Sequence, residues 1–207
     1  GIHHKFNLDT KELIKDVIMG EMGLGTAGFI SSCRIDNLIY FYRITIPRFL
    51  VYDIESNTIG RAPEIPISSI GPSVQLIALN GKVFLFHNTN GRDRHCLVFD
   101  PSDSTWTQRQ INFMGRDLHS AIAVGDDVYF SNQTQIIKYD TINNEYEIIN
   151  EHPNCSTQLS ALAYKDGELY LIGSHHHSGN SRLIRAYNLE RDTWRVAGSL
   201  PIIGRYD

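Results

Sequence analysis

The sequence predicts an all-β fold made of repeated four-stranded sheets, and three observations lead to this prediction. First, an apolar or aromatic residue followed by Asp or Asn recurs, with the Asp or Asn positions 44, 47, 40 and 48 residues apart. Second, a large apolar residue stands six positions after each of the last four of these positions. Third, short apolar stretches that each contain an aromatic residue recur at a similar period. A period of this length is typical of stacked supersecondary units.

Each repeat reads as four short strands, called a to d, that are joined by turns. Strand c ends at the recurring pair, and strand d carries the large apolar residue that follows it. The pairs are Leu8-Asp9, Tyr52-Asp53, Phe99-Asp100, Tyr139-Asp140 and Tyr187-Asn188. The apolar residues that follow the last four pairs are Ile59, Trp106, Tyr146 and Trp194.

Strand b is marked by an aromatic residue and by the turn that precedes it. The dipeptides Asn80-Gly81 and Asp166-Gly167 are typical of a tight a–b hairpin, because Gly accepts a positive φ at little steric cost. The c–d turns are polar, and Pro101 presets φ in one of them. The aromatic residues of strand b are Tyr40, Phe84, Tyr129 and Tyr170.

Four antiparallel strands in about 45 residues cannot bury both faces of their sheet alone, so neighbouring units must stack. The radial arrangement that buries these faces is a β-propeller. A helical solenoid is disfavoured, because the apolar residues come in short runs rather than at helical spacing. We expect a single propeller domain or propeller fragment of about four full blades plus a partial one. The expected units are residues 1–27 (partial), 28–72, 73–118, 119–158 and 159–207.

The partial first unit reads as strands c and d only. Its stretch "DTKELIKDVIM", residues 9–19, is compatible with a helix when taken alone, but its alignment with later c–d units favours a strand. Two accounts of this unit stay open. The chain is a fragment of a longer propeller, or the partial unit docks beside the last blade and covers its edge, because exposed edge strands invite aggregation.

Composition indicates a soluble globular protein, with 42% hydrophobic and 20% charged residues. The net charge of −4 offers no basic footprint for nucleic acid. No apolar run approaches the roughly 18 residues of a membrane span, so we expect no membrane partner. Cys33, Cys96 and Cys155 form no CxxC pair and are interpreted as small buried or neutral thiols, which favours a cytoplasmic location.

The repeat resembles the kelch repeat in its aromatic strand b, its Tyr or Phe with Asp at the end of strand c, and the Trp six residues later. The copy "GELYLIG…LIRAYNLERDTWRVAGSLP" is the most similar, followed by "GKVFLF…CLVFDPSDSTW". The Gly-Gly doublet that kelch units usually carry after strand b is missing, and only Gly173 remains of it. Tyr42-Arg43, Phe86-His87 and Ser131-Asn132 occupy the other doublet positions. F-box-associated and sialidase-like propellers therefore remain competing families.

The charged residues sort by face. In an up-and-down blade the a–b and c–d turns lie on one face of the disc, and the b–c and d–a connections lie on the other. The first face is predicted to be acidic through Asp36, Asp103, Asp126, Asp127, Asp166, Glu168, Glu190 and Asp192, partly offset by Lys82, Lys165 and Arg191. The second face is predicted to be rich in arginine, with Arg43, Arg48, Arg92, Arg94, Arg116, Arg182 and Arg205, and to carry fewer acidic residues, which are Glu64, Asp93, Asp117 and Glu151.

The arginine-rich face is the candidate binding site for a protein or peptide partner. Arginine pairs bidentately with carboxylate or phosphate, and it is enriched at interface hot spots. We therefore expect an acidic or phosphorylated peptide as the partner. The candidate partner-binding residues are Arg43, Arg48, Arg92, Arg94, Arg116, His175, His176 and Arg182.

The sequence favours a protein-interaction module over an enzyme. It contains no GxSxG, HExxH or phosphate-cradling glycine-rich motif, and we expect neither catalytic residues nor a cofactor. The triplet His175–His177 is not expected to hold a metal, because consecutive strand residues point to opposite faces. The kelch resemblance implies a substrate adaptor of a cullin-type ubiquitin ligase or an actin-associated scaffold. The alternative is a small-molecule enzyme or a carbohydrate-binding propeller.

Overall fold

The computed structural model describes most of the chain as strands and the turns that join them. In the part of the chain that it describes, no helix is long and apolar enough to cross a membrane. The described residues are 2–6, 13–18, 30–43, 48–67, 70, 74–89, 93–111, 120–132, 135–151, 161–173 and 182–200.

The described strands form four four-stranded antiparallel sheets, each in chain order, and one two-stranded sheet. We call the four-stranded sheets blades 1 to 4. The two-stranded sheet is β1 (Ile2–Phe6) and β2 (Leu13–Ile18). Blade 1 is β3 (Ile30–Ile35), β4 (Leu38–Arg43), β5 (Arg48–Asp53) and β6 (Thr58–Arg61). Blade 2 is β7 (Val74–Leu79), β8 (Lys82–Thr89), β9 (Asp93–Asp100) and β10 (Thr105–Ile111). Blade 3 is β11 (Ser120–Val124), β12 (Asp127–Ser131), β13 (Gln135–Asp140) and β14 (Glu145–Glu151). Blade 4 is β15 (Ala161–Lys165), β16 (Glu168–Ile172), β17 (Leu183–Asn188) and β18 (Thr193–Ser199).

The partial N-terminal unit is a pair of antiparallel strands, β1 and β2. The prediction of a strand rather than a helix within residues 9–19 is confirmed by β2. The predicted turn at Leu8-Asp9 lies outside the described residues. Because β1 and β2 form a sheet of their own, docking of this unit beside blade 4 stays a prediction.

Each interior blade divides its apolar residues between its two neighbours. In β8 of blade 2, Val83 and Leu85 pack towards blade 1, while Phe84 and Phe86 pack towards blade 3. This alternation follows from the two-residue period of a strand. Among the described residues, three apolar clusters result, one in each gap between consecutive blades. Burial of one such side chain contributes about 1.5–3 kcal/mol. Packing between neighbouring blades is therefore a large part of what stabilises each blade.

The innermost strands of consecutive blades lie side by side: β3 beside β7, β7 beside β11, and β11 beside β15. A repeated hydrogen bond fixes two of these contacts. The backbone N–H of Leu76 donates to Ser31 Oγ at 2.8 Å, and the N–H of Leu162 donates to Ser120 Oγ at 2.9 Å. The sheets therefore radiate from a common axis, and the predicted β-propeller is confirmed.

In the four blades, the side chain of the recurring Asp or Asn accepts hydrogen bonds from backbone N–H groups at the start of the c–d turn. Asp140 Oδ1 accepts the N–H groups of Ile142 and Asn143 at 2.8 and 2.9 Å, which is an Asx turn. The same arrangement starts at Asp53 and Asn188, and at Asp100 with one backbone donor.

The large apolar residue of strand d pairs directly across the sheet with the aromatic or apolar residue that precedes this Asp or Asn. Trp106 is the partner of Phe99, and Trp194 is the partner of Tyr187. Both ring pairs have centroids 5.1 Å apart. The two tryptophans pack in apolar clusters between blades. The six-residue interval from the Asp or Asn to the large apolar residue is therefore set by a four-residue turn, which brings two paired positions of strands c and d opposite each other.

Candidate partner-binding face

The propeller has two chemically different faces. We call the edge where strands b end and strands c begin the b–c rim; in the four blades it runs between Arg43 and Arg48, Thr89 and Asp93, Ser131 and Gln135, and Ile172 and Leu183. We call the opposite face, which carries the a–b and c–d turns, the turn face. The candidate partner-binding residues that the structure describes, Arg43, Arg48, Arg94 and Arg182, lie on the rim side.

Polar pairs stand at equivalent rim positions of the first three blades. In blade 1, Arg43 and Arg48 are direct cross-strand partners. Asn132 and Gln135 close the rim of blade 3, where Asn132 Nδ2 donates to Gln135 Oε1 at 3.1 Å and the N–H of Gln135 donates to Asn132 Oδ1 at 2.8 Å. Polar residues therefore pair at the rim ends of strands b and c in these blades.

Two histidines occupy the corresponding positions of blade 2. His87 and His95 are cross-strand partners whose rings stack with centroids 5.4 Å apart. His87 is 2% exposed, and Nδ1 of His95 is sealed from solvent. His87 is thus buried within the rim, and His95 is partly buried beside it.

The predicted partner-binding residues divide by their place in the structure. Arg43 and Arg48 end the adjacent strands of blade 1, and Arg94 lies in β9 opposite Asn88. These three are at the rim, as the sequence predicts, and their role in binding stays a prediction. The other candidates outside the described residues are Arg92, Arg116, His175 and His176.

Arg182 has a structural task at the rim side of blade 4. Its Nε donates to the carbonyl oxygen of Leu200 at 3.0 Å, and the N–H of Leu200 donates to the Arg182 carbonyl at 2.7 Å. This reciprocal pair joins the start of β17 to the end of β18. Part of its guanidinium is therefore already used within the blade.

The carboxylates of the turn face are largely bound within the protein. Glu168 pairs with Arg195, whose Nε lies 2.9 Å from Glu168 Oε1, and Tyr170 donates its hydroxyl to Glu168 Oε2 at 2.9 Å. Arg195 holds the pKa of Glu168 down at about 2. Asp192 Oδ1 accepts from the hydroxyl of Tyr187 at 2.5 Å and from Asn150 Nδ2 at 2.7 Å.

The same holds for other acidic residues of this face. Asp126 Oδ1 accepts from Asn80 Nδ2 at 2.8 Å, which links the a–b turns of blades 2 and 3. Asp127 lies 3.2 Å from Lys138 Nζ. The acidic character predicted for the turn face therefore includes side chains that hold turns and neighbouring blades together.

The described cysteines agree with the interpretation as buried or neutral thiols. Cys96 is fully buried in the cluster between blades 2 and 3, and Cys33 packs against the cluster between blades 1 and 2. Burial raises the pKa of Cys33 to about 12 and raises that of Cys96 as well. Both are free thiols, and Cys155 lies outside the described residues. Within the described ranges, no group of three or more His, Cys, Asp or Glu side chains is placed to hold a metal ion.

Sequence reasoning missed His87 and His95 as members of the rim. The available signal was the position of the missing kelch doublet, because Tyr42-Arg43, Phe86-His87 and Ser131-Asn132 replace it in three repeats. In the structure the second residue of each replacement joins a polar rim pair. The pairing with strand c could be read from the sequence only after the strand register was known.

Comparison with known proteins supports the fold and leaves the family open. No protein-family model and no curated protein sequence matches this chain. Among solved structures, that of YjhT, a kelch-repeat protein, is similar with a TM-score of 0.68 and 9% sequence identity. The match covers 84% of this chain and 66% of the YjhT chain, so this chain spans slightly less than two thirds of YjhT. The fold is a kelch-like β-propeller.

Proposed function

We propose that this propeller is a protein-interaction module whose b–c rim binds an acidic or phosphorylated segment of a partner protein. The observation that carries the proposal is the direct cross-strand pairing of Arg43 with Arg48. Like charges at directly opposite positions of an antiparallel pair destabilise the sheet. An oxyanion placed between two guanidinium groups removes this repulsion, so binding and rim stability are coupled.

The charges of the two faces also favour binding of an acidic segment at the b–c rim. Arg94 lies on the next blade beyond the His87–His95 pair, on the same rim as Arg43 and Arg48. The turn face instead presents carboxylates, several of them already paired. An acidic segment is attracted by the first surface and repelled by the second, which orients it during association.

The cellular role that we propose is that of a kelch-type adaptor, either for substrates of a cullin-type ubiquitin ligase or on an actin-associated scaffold, in the cytoplasm. The support for it is the resemblance of the repeat to the kelch repeat and the kelch-like fold. Cosedimentation of the purified chain with filamentous actin separates the two roles. Only the scaffold role predicts that the chain pellets with the filaments.

Binding to an array of synthetic peptides tests the rim directly. The array carries four matched sets: Glu-rich, phosphoserine-containing, neutral and Lys-rich peptides. We expect binding to the first two sets and a loss of about tenfold or more in affinity when Arg43→Glu and Arg48→Glu are combined, since each charge-assisted hydrogen bond contributes about 1.5–3 kcal/mol. Charge reversal of Arg92 and Arg94 extends the test to blade 2.

The matched control changes the same number of charges on the turn face. Lys165→Glu combined with Arg191→Glu alters two exposed turn residues and should leave peptide binding unchanged. Equal losses of affinity in the rim and control variants would mean that the net charge of the chain, and not the rim, determines binding. Unaltered binding by the folded rim variant would refute the proposal.

A further inference from the structure

The gap between blades 3 and 4 differs from the other two gaps in the row of residues nearest the b–c rim. In each gap, a cross-strand row of one blade faces a cross-strand row of the next. Ser31–Tyr42–Phe49 faces Leu76–Leu85–Leu97 between blades 1 and 2, and Gln75–Phe86–Cys96 faces Ala121–Phe130–Ile137 between blades 2 and 3. Between blades 3 and 4, Ser120–Ser131–Ile136 faces Leu162–Leu171–Arg185.

The facing of this third pair of rows is fixed by contacts. Ser120 Oγ accepts the N–H of Leu162 at 2.9 Å, which joins the innermost members of the two rows. Ile136, the cross-strand partner of Ser131, packs in one cluster with Tyr187, which lies on the same face of β17 as Arg185. Ser131 and Arg185 therefore both point into the gap.

Two substitutions within the repeat make this gap polar. The place held by Tyr42 in blade 1 and Phe86 in blade 2 is Ser131 in blade 3. The place held by Leu97 in blade 2 and Ile137 in blade 3 is Arg185 in blade 4. A ring has been replaced by a hydroxyl, and an aliphatic side chain by a cationic guanidinium with five N–H donors.

Neither polar group is satisfied among the described residues. Arg185 is 8% exposed and has no salt bridge or hydrogen bond to another described side chain. Ser131 is fully buried, and its Oγ lies among the sealed polar atoms without a hydrogen-bond partner. The guanidinium nitrogens of Arg185 are not among those sealed atoms, so they keep some contact with solvent.

The two connections that precede β15 and β17 in the sequence contain no acidic residue, and Glu151, at the end of β14, directly precedes the first of them. Residues 152–160 join blade 3 to blade 4, residues 174–181 join β16 to β17, and neither stretch contains Asp or Glu. Partial removal of a cation from water without an anion beside it has an energetic cost. Such a cost is typical of a binding site, where a ligand offsets it.

We propose that the gap between blades 3 and 4 is an oxyanion-binding pocket that takes one carboxylate or phosphate group. Arg185 donates to the anion from its guanidinium, and Ser131, whose hydroxyl has no hydrogen-bond partner among the described residues, places a second donor deeper in the same gap. The pocket is separate from the Arg43–Arg48 pair of blade 1, and it can be tested with small anions in the absence of any peptide. Its failure would leave the proposed function of the rim untouched.

Titration of the intact chain with inorganic phosphate and with acetate, at constant ionic strength set with chloride, tests the pocket. Anion binding is followed by calorimetry and by the rise in Tm that a ligand of the native state produces. We expect saturable binding of at least one of the two anions. Phosphate alone identifies a phosphoryl ligand, acetate alone identifies a carboxylate ligand, and both together identify a general oxyanion pocket.

Three variants assign the binding to this gap. Arg185→Leu, which restores the side chain found at Leu97, should weaken anion binding by about tenfold or more and abolish the rise in Tm. Arg185→Lys tests the same point with the charge retained, and should weaken binding through loss of the bidentate geometry. Arg191→Leu, on the turn face, should bind as the unaltered chain does. No saturable binding of either anion, or binding that persists in Arg185→Leu, would overturn the proposal.

Discussion

At the scale of single residues, a hydrogen bond from a tyrosine to an asparagine spans the c–d turn in blades 1 and 3, and both of these residues differ in blade 2. The hydroxyls of Tyr52 and Tyr139 each donate to the Oδ1 of an Asn five residues later, at 2.6 Å. Each acceptor residue, Asn57 or Asn144, has a positive φ. In blade 2 the position of the tyrosine is occupied by Phe99, which has no hydroxyl, and the positive-φ position holds Ser104 instead of Asn.

Removal of one hydroxyl should therefore destabilise one turn. Tyr139→Phe is expected to lower the free energy of unfolding by about 1 kcal/mol, because the Oδ1 of Asn144 loses its donor. Urea denaturation of the purified chain measures the change. In the background of Asn144→Ser, which recreates the pair found in blade 2, Tyr139→Phe should cost clearly less. An equal cost in both backgrounds would mean that the hydroxyl and the Asn are not coupled.

The ion pairs of the turn face predict how stability depends on pH. Hydrogen bonding to Arg195 lowers the pKa of Glu168 from 4.5 to about 2, and hydrogen bonding to Lys82 lowers that of Asp100 from 3.8 to about 2. Both pKa values are lower in the folded chain than in the unfolded chain. Their contribution is therefore complete above about pH 5 and is lost as the pH falls through 4 towards 2.

Thermal unfolding between pH 6 and pH 2.5 checks this dependence. We expect Tm to fall most steeply below pH 4. Glu168→Gln should lower Tm at pH 6 and flatten the fall below pH 4, while Glu190→Gln, at an exposed residue of the same turn face, should leave the profile unchanged. A profile for Glu168→Gln parallel to that of the unaltered chain would exclude Glu168 as a source of the dependence.

At the scale of elements, the inner strands depend on side chains for contacts that sheet pairing cannot supply. Strands of one blade pair with each other, but β3 and β7 belong to different sheets. The hydroxyl of Ser31 therefore accepts the N–H of Leu76 across the gap. Ser120 repeats the contact between β11 and β15.

Loss of this contact should leave a backbone N–H at the inner edge without its acceptor. Ser31→Ala is expected to destabilise the chain by about 1–3 kcal/mol. Ser32→Ala changes the next residue of β3, which is exposed, and should alter stability by no more than about 0.5 kcal/mol. Chemical denaturation of the two variants side by side makes the comparison. Similar small effects for both would show that the inter-blade hydrogen bond adds little.

Elements defined by local chemistry could be predicted from the sequence. The Asn80-Gly81 and Asp166-Gly167 turns have positive φ at both residues, as their composition requires. The interval between strand c and strand d followed from the capping Asp and its paired aromatic residue. Features that depend on packing between blades could not be predicted in this way. The stacked His87–His95 pair, and Arg185 without a hydrogen-bond partner among the described side chains, became visible only once the registers had aligned the rows of adjacent sheets.

At the scale of the whole molecule, the account rests on mutual burial between blades. Phe86 and Phe130 come from different blades and meet edge to face, with centroids 4.7 Å apart. Trp106 packs in the gap between blades 1 and 2, and Trp194 packs in the gap between blades 3 and 4. A rim made of residues from several blades keeps its geometry only while these gaps stay closed.

The most direct test of this claim is equilibrium unfolding of Phe130→Ala. Unfolding is followed separately in the gap between blades 1 and 2 and in the gap between blades 3 and 4. The chain has two tryptophans, so Trp106→Phe and Trp194→Phe backgrounds each leave one fluorescent reporter. Truncation of Phe130 in the middle gap should cost about 3–5 kcal/mol. The account predicts that both reporters unfold at one common midpoint, and that Phe130→Ala moves both to lower denaturant by the same amount. Separate midpoints, with either reporter unmoved by the substitution, would contradict it.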